Sequence, residues 1–471
     1  MIDLQQPQPS SFVLDVTMSA VSLSHLLRIV PQLISHRVLC FHTSQRCCKN
    51  VTFGQSLGPT TAIKQENVRK GSEKRQKSGK TAKFPSTSIT WEERLANAVT
   101  PLWRMSYEEQ LQVKYEAQKR TLQHFTASLT NCSGTNGLCC PLHSTLPSIP
   151  EDCTLSHCFS LQSVTVGYRN KSTFSVNRGP DGNPKTVGHY IGTGKGRNIV
   201  CIHSDHLVNM PEKHKQVARE EISKHQKSLV EYFTIGPGAA CELTSLYFQE
   251  STMTHCLHKE SPYQLLYGVP YIFEEILGLK FRISPDAFFQ VNSEGADVLY
   301  QTVRDLIRAD GDSIVLDVCC GTGAIGLSMC QTAARVIGIE LIDQAVEDAK
   351  CNAMLNGFDN CEFHSGKAEV VLPQLLPTLE DAKHLVAVVN PARAGLHYRV
   401  VRAIRNCERI RRLVYVSCKP EGEAMRNFLE LCCLPDQQKK LFGDPFAPML
   451  AVPVDMFPHT SHCELLLLFE R

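Results

Sequence analysis

The run "LDVCCGTGAIGLSMC" (residues 316–330) decides the fold. It opens as the end of a buried strand. Gly321, Gly323 and Gly326 follow at the spacing of a dinucleotide-binding turn, where glycine lets the backbone bend tightly and approach a ligand. Taken alone, the turn is equally a strand-to-helix connection with no ligand. Outward from it, helix and strand patterns alternate. "SEGADVLYQTVRDLIR" (293–308) puts Ala296, Leu299, Tyr300, Val303, Leu306 and Ile307 on one helical face, and "SIVLDV" (313–318) follows as a strand. Then come "ARVIGIE" (334–340), a helix from Asp343 stopped by Gly357, the strands "CEFHS" (361–365) and "HLVAVV" (384–389), the helix "HYRVVRAIRN" (397–406), and the strands "RLVYVS" (412–417) and "CELLLLF" (463–469). This alternation predicts a doubly wound α/β domain with a mostly parallel sheet covered on both faces.

Ligands of such sheets bind at the carboxyl ends of the strands. Glu340 closes the strand after the glycine turn, where a carboxylate accepts the ribose hydroxyls of an adenosyl cofactor; that suits NAD and S-adenosylmethionine alike. The ends of "VVNPARAG" (388–395) and "VYVSCKP" (414–420) discriminate. Proline holds the residue before it extended, so each segment projects over the sheet edge. A thiol presented there suits covalent attack on an electrophilic ring beside an activated methyl group better than hydride transfer. The loop is therefore assigned to S-adenosylmethionine.

With 471 residues, 42% of them hydrophobic, the chain has material for two or three domains. Lys plus Arg number 49 against 47 acidic residues, so any nucleic-acid surface is a local patch. The 21 cysteines show no scaffold spacing, which favours free thiols in a reducing compartment. The apolar stretch 11–34 is interrupted by Asp15, His25, Arg28 and Pro31, so no membrane span is expected. Between Asp15 and Glu66 there is no acidic residue, and Ser, His, Arg and Leu abound, the composition of a mitochondrial transit peptide. Residues 1–50 are read as a matrix address removed on import, and 51–90 as a flexible basic linker. Residues 91–158 hold a helix opened by the capping box Ser106/Glu109 and then a Cys-bearing loop without zinc spacing, so no metal is expected. Residues 159–280 read as a smaller β-rich domain in which Tyr168, Arg169, Lys171 and Phe174 offer stacking and phosphate contacts to RNA. Residues 281–471 form the catalytic domain.

At this point the chain resembles a known family, the RNA 5-methyluridine methyltransferases. The resemblance rests on "FRISPDAFFQVN" (281–292), "LDVCCGTGAIGL" (316–327), "VIGIE" (336–340), "VVNPARAG", "YVSCKP" (415–420) and "DMFPHTSHCELLLL" (455–468), in the family's order from about residue 265 to the end. The leader and "TPLWRMSYEEQL" (100–111) resemble the family's vertebrate mitochondrial branch. The resemblance implies that Cys418 is the nucleophile and Glu464 the general base. It also implies that Gln290, Glu340 and Asn390 contact S-adenosylmethionine beside Gly321 and Gly323. Its substrates would be the T-loop uridine of mitochondrial tRNA and, in the mitochondrial branch, small-subunit ribosomal RNA, bound by a monomer.

The chemistry is coherent on its own terms. Carbon 5 of uracil is a weak nucleophile until a thiolate adds at carbon 6. After methylation, a base must remove the hydrogen from carbon 5 before the thiol is expelled. A free Cys thiol has a pKa of ~8.5, so the site is expected to favour thiolate, with Lys419 supplying positive charge. Arg393 would neutralise substrate phosphate or brace its loop, while His459 and His462 would act electrostatically or pack. Asn390 stands where bacterial members carry Asp, which loses a charge. A weakly active or inactive RNA-binding or chaperone protein derived from such an enzyme is the alternative. The four-cysteine iron-sulfur spacing of some members is not found, and no cluster is expected.

Overall fold

The computed structural model describes residues 11–17, 89–132, 164–192, 200–219, 226–236, 238–239, 243–251, 262–380 and 382–471. Nearly all of the basic linker and of the Cys-bearing loop lies outside the described residues. Among the described residues, no helix is long and apolar enough to cross a membrane.

The glycine turn sits at the centre of a seven-stranded sheet. Its strands are β9 (Ser313–Val318), β10 (Arg335–Glu340), β11 (Cys361–Ser365), β12 (His384–Val389), β13 (Ile410–Ser417), β14 (Ala447–Val454) and β15 (Glu464–Glu470), in the order β11-β10-β9-β12-β13-β15-β14. Strands β11 to β13 run parallel, while β15 and β14 join antiparallel at one edge. The doubly wound α/β expectation holds.

Period-two alternation divides the sheet residues between two cores. Leu316, Val318, Leu413, Tyr415, Leu465 and Leu467 face one side; Val315, Val414, Val416, Leu466 and Leu468 face the other. The first core is covered by α2 (Tyr107–Cys132), α8 (Ala368–Leu375), α9 (Tyr398–Asn406) and α10 (Glu423–Cys432). The second is covered by α5 (Ser293–Ile307), α6 (Ala324–Met329) and α7 (Asp343–Leu355). Burial on both sides is why these strands read as unbroken apolar runs.

Several elements escaped the sequence reading. Helix α8 carries Pro373, β14 carries Pro448 and Pro453 as an edge strand can, and α10 has no capping signature. Helix α2 opens with the expected capping box, Glu109 N–H to Ser106 Oγ at 3.3 Å and Ser106 N–H to Glu109 Oε2 at 2.8 Å. It does not stand apart from the catalytic core: Leu122 and Phe125 enter it, and Phe125 meets Phe428 edge-on at 5.7 Å.

A second sheet has the order β4-β3-β2-β1-β5-β6, from β1 (Ser11–Thr17), β2 (Lys171–Asn177), β3 (Thr186–Ile191), β4 (Val200–His203), β5 (Ser245–Ser251) and β6 (Gln264–Gly268). Helix α1 (Trp91–Val99), α3 (Glu212–Arg219) and α4 (Gln226–Thr234) pack on it through Leu95, Val217, Leu229 and Phe233. Strand β1 lies within the stretch read as a removable leader. It pairs antiparallel with both β2 and β5, so removal of residues 1–50 would leave two unpaired strand edges. Two members of the expected RNA platform are not available for stacking. Phe174 is wholly buried in this domain's core, and Tyr168 is 8% exposed with its hydroxyl donating to Pro458 O at 3.2 Å. Phe174 serves the core of the sheet, whereas Tyr168 is turned to the Pro458 segment.

The hairpin of β7 (Ile272–Ile276) and β8 (Leu279–Ile283) leads into the loop 284–292. This loop is anchored on α7. Fully buried Asp348 accepts Arg282 Nε and Ser284 N–H at 2.9 Å each, and Asn352 Nδ2 donates to Arg282 O and Thr322 O at 3.2 Å each. That arrangement carries the backbone of Phe288 past the glycine turn.

Candidate active site

The turn after β9 is built around close backbone approach. Gly321 and Gly323 adopt φ of +56° and +80°. A Cβ on Gly323 would come within 2.9 Å of the Phe363 ring, whereas one on Gly321 would meet only Phe288 O, at 3.6 Å. Gly323 is thus needed for packing, and Gly321 leaves its side of the turn clear. Beneath them Asp317 is fully buried. Its Oδ2 accepts Gly326 N–H at 2.8 Å, while its Oδ1 has no hydrogen-bond partner among the described residues. Burial pushes this carboxyl up to about 7, with the Glu340 charge adding to the effect. A buried acceptor without a partner is costly, so Oδ1 marks a place for a donor from outside the chain.

Glu340 ends β10 at the mouth of the turn. Its Oε2 accepts Gly321 N–H at 3.0 Å and its Oε1 accepts Leu341 and Ile342 N–H at 2.7 and 3.0 Å. Three of roughly four lone-pair positions are therefore used, and a grip on both hydroxyls of a ribose requires the carboxylate to release a backbone partner. Asn390 follows β12, with its N–H on Val318 O at 3.2 Å. Gln290 is buried in the 284–292 loop, and its carbonyl accepts Asn170 Nδ2 at 3.0 Å. It does not cap the helix; Asn292 does, through Gly295 N–H at 3.0 Å. A clear backbone, an unfilled acceptor and polar strand ends suit an adenosyl cofactor with an ammonium group. Those features place Gly321, Glu340 and Asn390 around one turn.

Cys418 and Glu464 come together through strand register. In the antiparallel pair β13–β15, Ser417 lies opposite Leu465, so Cys418 and Glu464 are the residues flanking that last pair, and the Glu464 charge reaches the Cys418 thiol. Glu464 is 4% exposed, and burial raises its carboxyl to about 7 against the opposing pull of Arg393. The half-buried Cys418 thiol is held above its ordinary value, first by burial and then by the Glu464 charge, while a hydrogen bond and the charge from Arg393 act the other way. The expectation that the site favours thiolate is therefore corrected: thiol and carboxylate compete for one guanidinium. The expected contribution from Lys419 is corrected too, because the cation on the thiol is Arg393 and Lys419 lies exposed. The cysteines of the glycine turn are poorer nucleophiles, Cys319 being pushed up to about 12 by burial and nearby carboxylates.

The loop that carries Arg393 is held at Leu396 by a residue that sequence reasoning missed. Fully buried Asn427 on α10 accepts Leu396 N–H at 2.7 Å and the Tyr415 hydroxyl at 2.9 Å, and donates to Leu396 O at 3.1 Å. A Cβ on Gly395 would fall 2.7 Å from Asn427 Oδ1, so the loop fits only with glycine there. An isolated Asn in an apolar helix face carried no signal. His462 is half-buried and lowered by burial, then by Arg393, so it is neutral at pH 7. His459 is tied by its main chain to Leu102 and Gln110.

Residues 309–425 match the model of a methyltransferase domain. The chain is 53% identical over 440 residues to a tRNA (uracil-5-)-methyltransferase homolog B of Mus musculus, covering 81% of this chain and 86% of that protein. It is 51% identical over 464 residues to the Homo sapiens protein of that name, covering 87% and 91%. The Homo sapiens homolog A is 38% identical, covering 80% of this chain and 68% of that protein. Among solved structures, the Pyrococcus abyssi tRNA (uracil-54, C5)-methyltransferase in complex with S-adenosyl-L-homocysteine aligns at 20% identity with a TM-score of 0.44, over 65% of this chain and 77% of that one. By its sequence relatives, the chain belongs to the tRNA (uracil-5-)-methyltransferase family.

Proposed function

We propose that this chain is an S-adenosylmethionine-dependent enzyme that methylates carbon 5 of a uridine in tRNA. The observation that carries the reading is the juxtaposition of Cys418, just past the carboxyl end of β13, with buried Glu464 on the neighbouring β15, on the same sheet edge as the glycine turn and separated from its strand by β12. When bound, S-adenosylmethionine supplies a methyl group as an activated sulfonium substituent. Asp317, Gly321, Glu340 and Asn390 would hold it.

The Cys418 thiol gives up its proton to solvent, and the thiolate Sγ adds to carbon 6 of the uracil; the ring electrons move to carbon 5, which thereby becomes nucleophilic. Arg393 stabilises the anionic sulfur as it forms and as it leaves. Once carbon 5 carries the methyl group, the Glu464 carboxylate takes the remaining hydrogen from it as a proton. The electron pair left behind reforms the ring double bond and expels Cys418 as thiolate. A carboxyl with a pKa near 7 is matched to accepting that proton and passing it to solvent.

A uracil stacked in RNA hides carbon 6, so the substrate is a uridine that is looped out or extruded, and the T-loop of tRNA supplies one. The same loop chemistry extends to small-subunit ribosomal RNA. The acid-poor segment 18–50 supports residence in the mitochondrial matrix, and a single chain carries every group the mechanism uses, which supports a monomer. The test is incubation of unmodified mitochondrial tRNA with methyl-labelled S-adenosylmethionine, followed by mapping of 5-methyluridine. Wild type is expected to label one T-loop position. C418A is expected to label none, and activity surviving that substitution overturns the mechanism. A passenger fused to residues 18–50 is expected in mitochondria; a cytosolic passenger refutes the matrix assignment.

A further inference from the structure

Helix α2 supplies no group to the chemistry described above, yet its first turns reach the segment that leads into Glu464. The Lys114 side chain is wholly excluded from solvent. Its Nζ lies 2.6 Å from Asp455 Oδ1, whose own side chain is 1% exposed, and donates to Phe457 O at 3.0 Å. Asp455 Oδ1 also accepts Phe457 N–H at 2.9 Å. One turn earlier on the helix, buried Gln110 accepts His459 N–H at 2.6 Å and places Nε2 3.1 Å from His459 Nδ1. Leu102 N–H donates to His459 O at 3.0 Å. His459 has φ of +66°, a conformation a non-glycine residue holds only when its surroundings demand it.

The opposite side of the segment is held as closely. Asn292 Nδ2 donates to Met456 O at 3.1 Å and Tyr168 Oη to Pro458 O at 3.2 Å. Thr460 then passes the restraint on, its Oγ1 donating to Phe457 O at 2.8 Å and accepting His462 N–H at 3.1 Å. Two residues later the chain enters β15 at Glu464. Every residue from 455 to 460 is thus fixed from outside or by its neighbour. A buried Lys–Asp pair is a poor source of net stability, because desolvation offsets the attraction, and its attested value lies in specifying one geometry.

We propose that Lys114 is a positioning residue for the proton-removal step: acting through Asp455 and Phe457, it sets the turn that aims the Glu464 carboxylate at substrate carbon 5. The N-terminal helix is then part of the catalytic device. This inference rests on the assignment of Glu464 as base.

The test separates formation of the covalent enzyme–RNA species from its resolution. Full-length wild type, E464Q, K114M, K114R and the double variant K114M/D455N react with a T-loop RNA and S-adenosylmethionine, and adduct is read on denaturing gels under single-turnover conditions. A misaimed base leaves addition and methyl transfer in place and stalls release. K114M is therefore expected to accumulate methylated adduct as E464Q does, with kcat down by about 10²-fold and KM for RNA within twofold of wild type. K114R, which keeps the charge and donors, is expected to resolve the adduct faster than K114M. The double variant leaves no buried unpaired carboxylate, and its cofactor affinity reports that it is folded; it too must accumulate adduct. Equal slowing of adduct formation and resolution in K114M and the double variant would reveal a purely structural role and overturn the inference. Adduct accumulation in E464Q but not in K114M overturns it as well, leaving the base assignment intact. An E464Q that turns over normally overturns both.

Discussion

Replacing Glu464 by Gln should make the protein more stable while stopping turnover. The carboxyl is 4% exposed and its pKa rises from 4.5 in the unfolded chain to about 7 in the fold. Below pH 4.5 both states hold the proton and the group contributes nothing. Between pH 4.5 and 7 the unfolded chain loses its proton while the folded one keeps it, so stability falls as pH rises. Above pH 7 the loss is complete, about 3 kcal/mol at 1.36 kcal/mol per pH unit. Glutamine has the same shape and no charge to desolvate. In urea denaturation at pH 8, E464Q is expected to exceed wild type by up to about 3 kcal/mol, and by less than about 1 kcal/mol at pH 5. Asp317, also raised to about 7, titrates in both proteins and cancels in the difference. An E464Q no more stable than wild type at pH 8, or a gap independent of pH, would refute the buried, destabilised carboxylate. Since the base must be ionised to accept a proton, the acidic limb of kcat is expected near pH 7 in the wild type.

Other consequences follow from the same geometry. Arg393→Gln removes the cation that favours sulfur anion, so alkylation of Cys418 by iodoacetamide at pH 8 should slow several-fold; unchanged reactivity would place the guanidinium elsewhere. Asn427→Ala leaves the Tyr415 hydroxyl and the Leu396 amide without their buried partner. A destabilisation of about 2–4 kcal/mol is expected in urea melts, with a larger fall in kcat than in cofactor affinity. On α9 the exposed Tyr398 has Arg399 and Arg402 at 5.9 and 5.7 Å from its ring, and among the described residues neither guanidinium has a carboxylate partner. If these meet RNA phosphates, R399Q/R402Q should lower the slope of log affinity against log salt by up to about 1.5, and an unchanged slope would exclude the contact.

Much of the catalytic domain was legible because its strands are buried on both faces and end in residues of distinctive chemistry. "SIVLDV", "CEFHS" and "HLVAVV" begin and end where the sheet strands do. Glycine spacing located the turn, and the Asn-Pro and Cys-x-Pro segments fall, as read, just past the ends of β12 and β13. What stayed hidden depends on partners distant in sequence. Arg393 could be named, but not the anchor of its loop, because Leu396 is held by Asn427 on a helix with no polar pattern. Nothing in the sequence singles out Lys114, and only the packing of α2 against the sheet makes it buried. Phe174 misled for the converse reason: an aromatic residue on an alternating strand position looks the same whether its face meets RNA or a core. β1 was invisible beneath the composition of a leader.

The central claim is that the sulfur of Cys418 bonds to carbon 6 of the substrate uridine. T-loop RNA carrying 5-fluorouridine tests it most directly, because fluorine on carbon 5 cannot leave as a proton does and the adduct cannot resolve. Mass spectrometry of the digested complex is expected to find methylated fluorouridine on the peptide bearing Cys418. Turnover of the fluorinated RNA without trapped protein, or attachment at any other residue, would contradict the account.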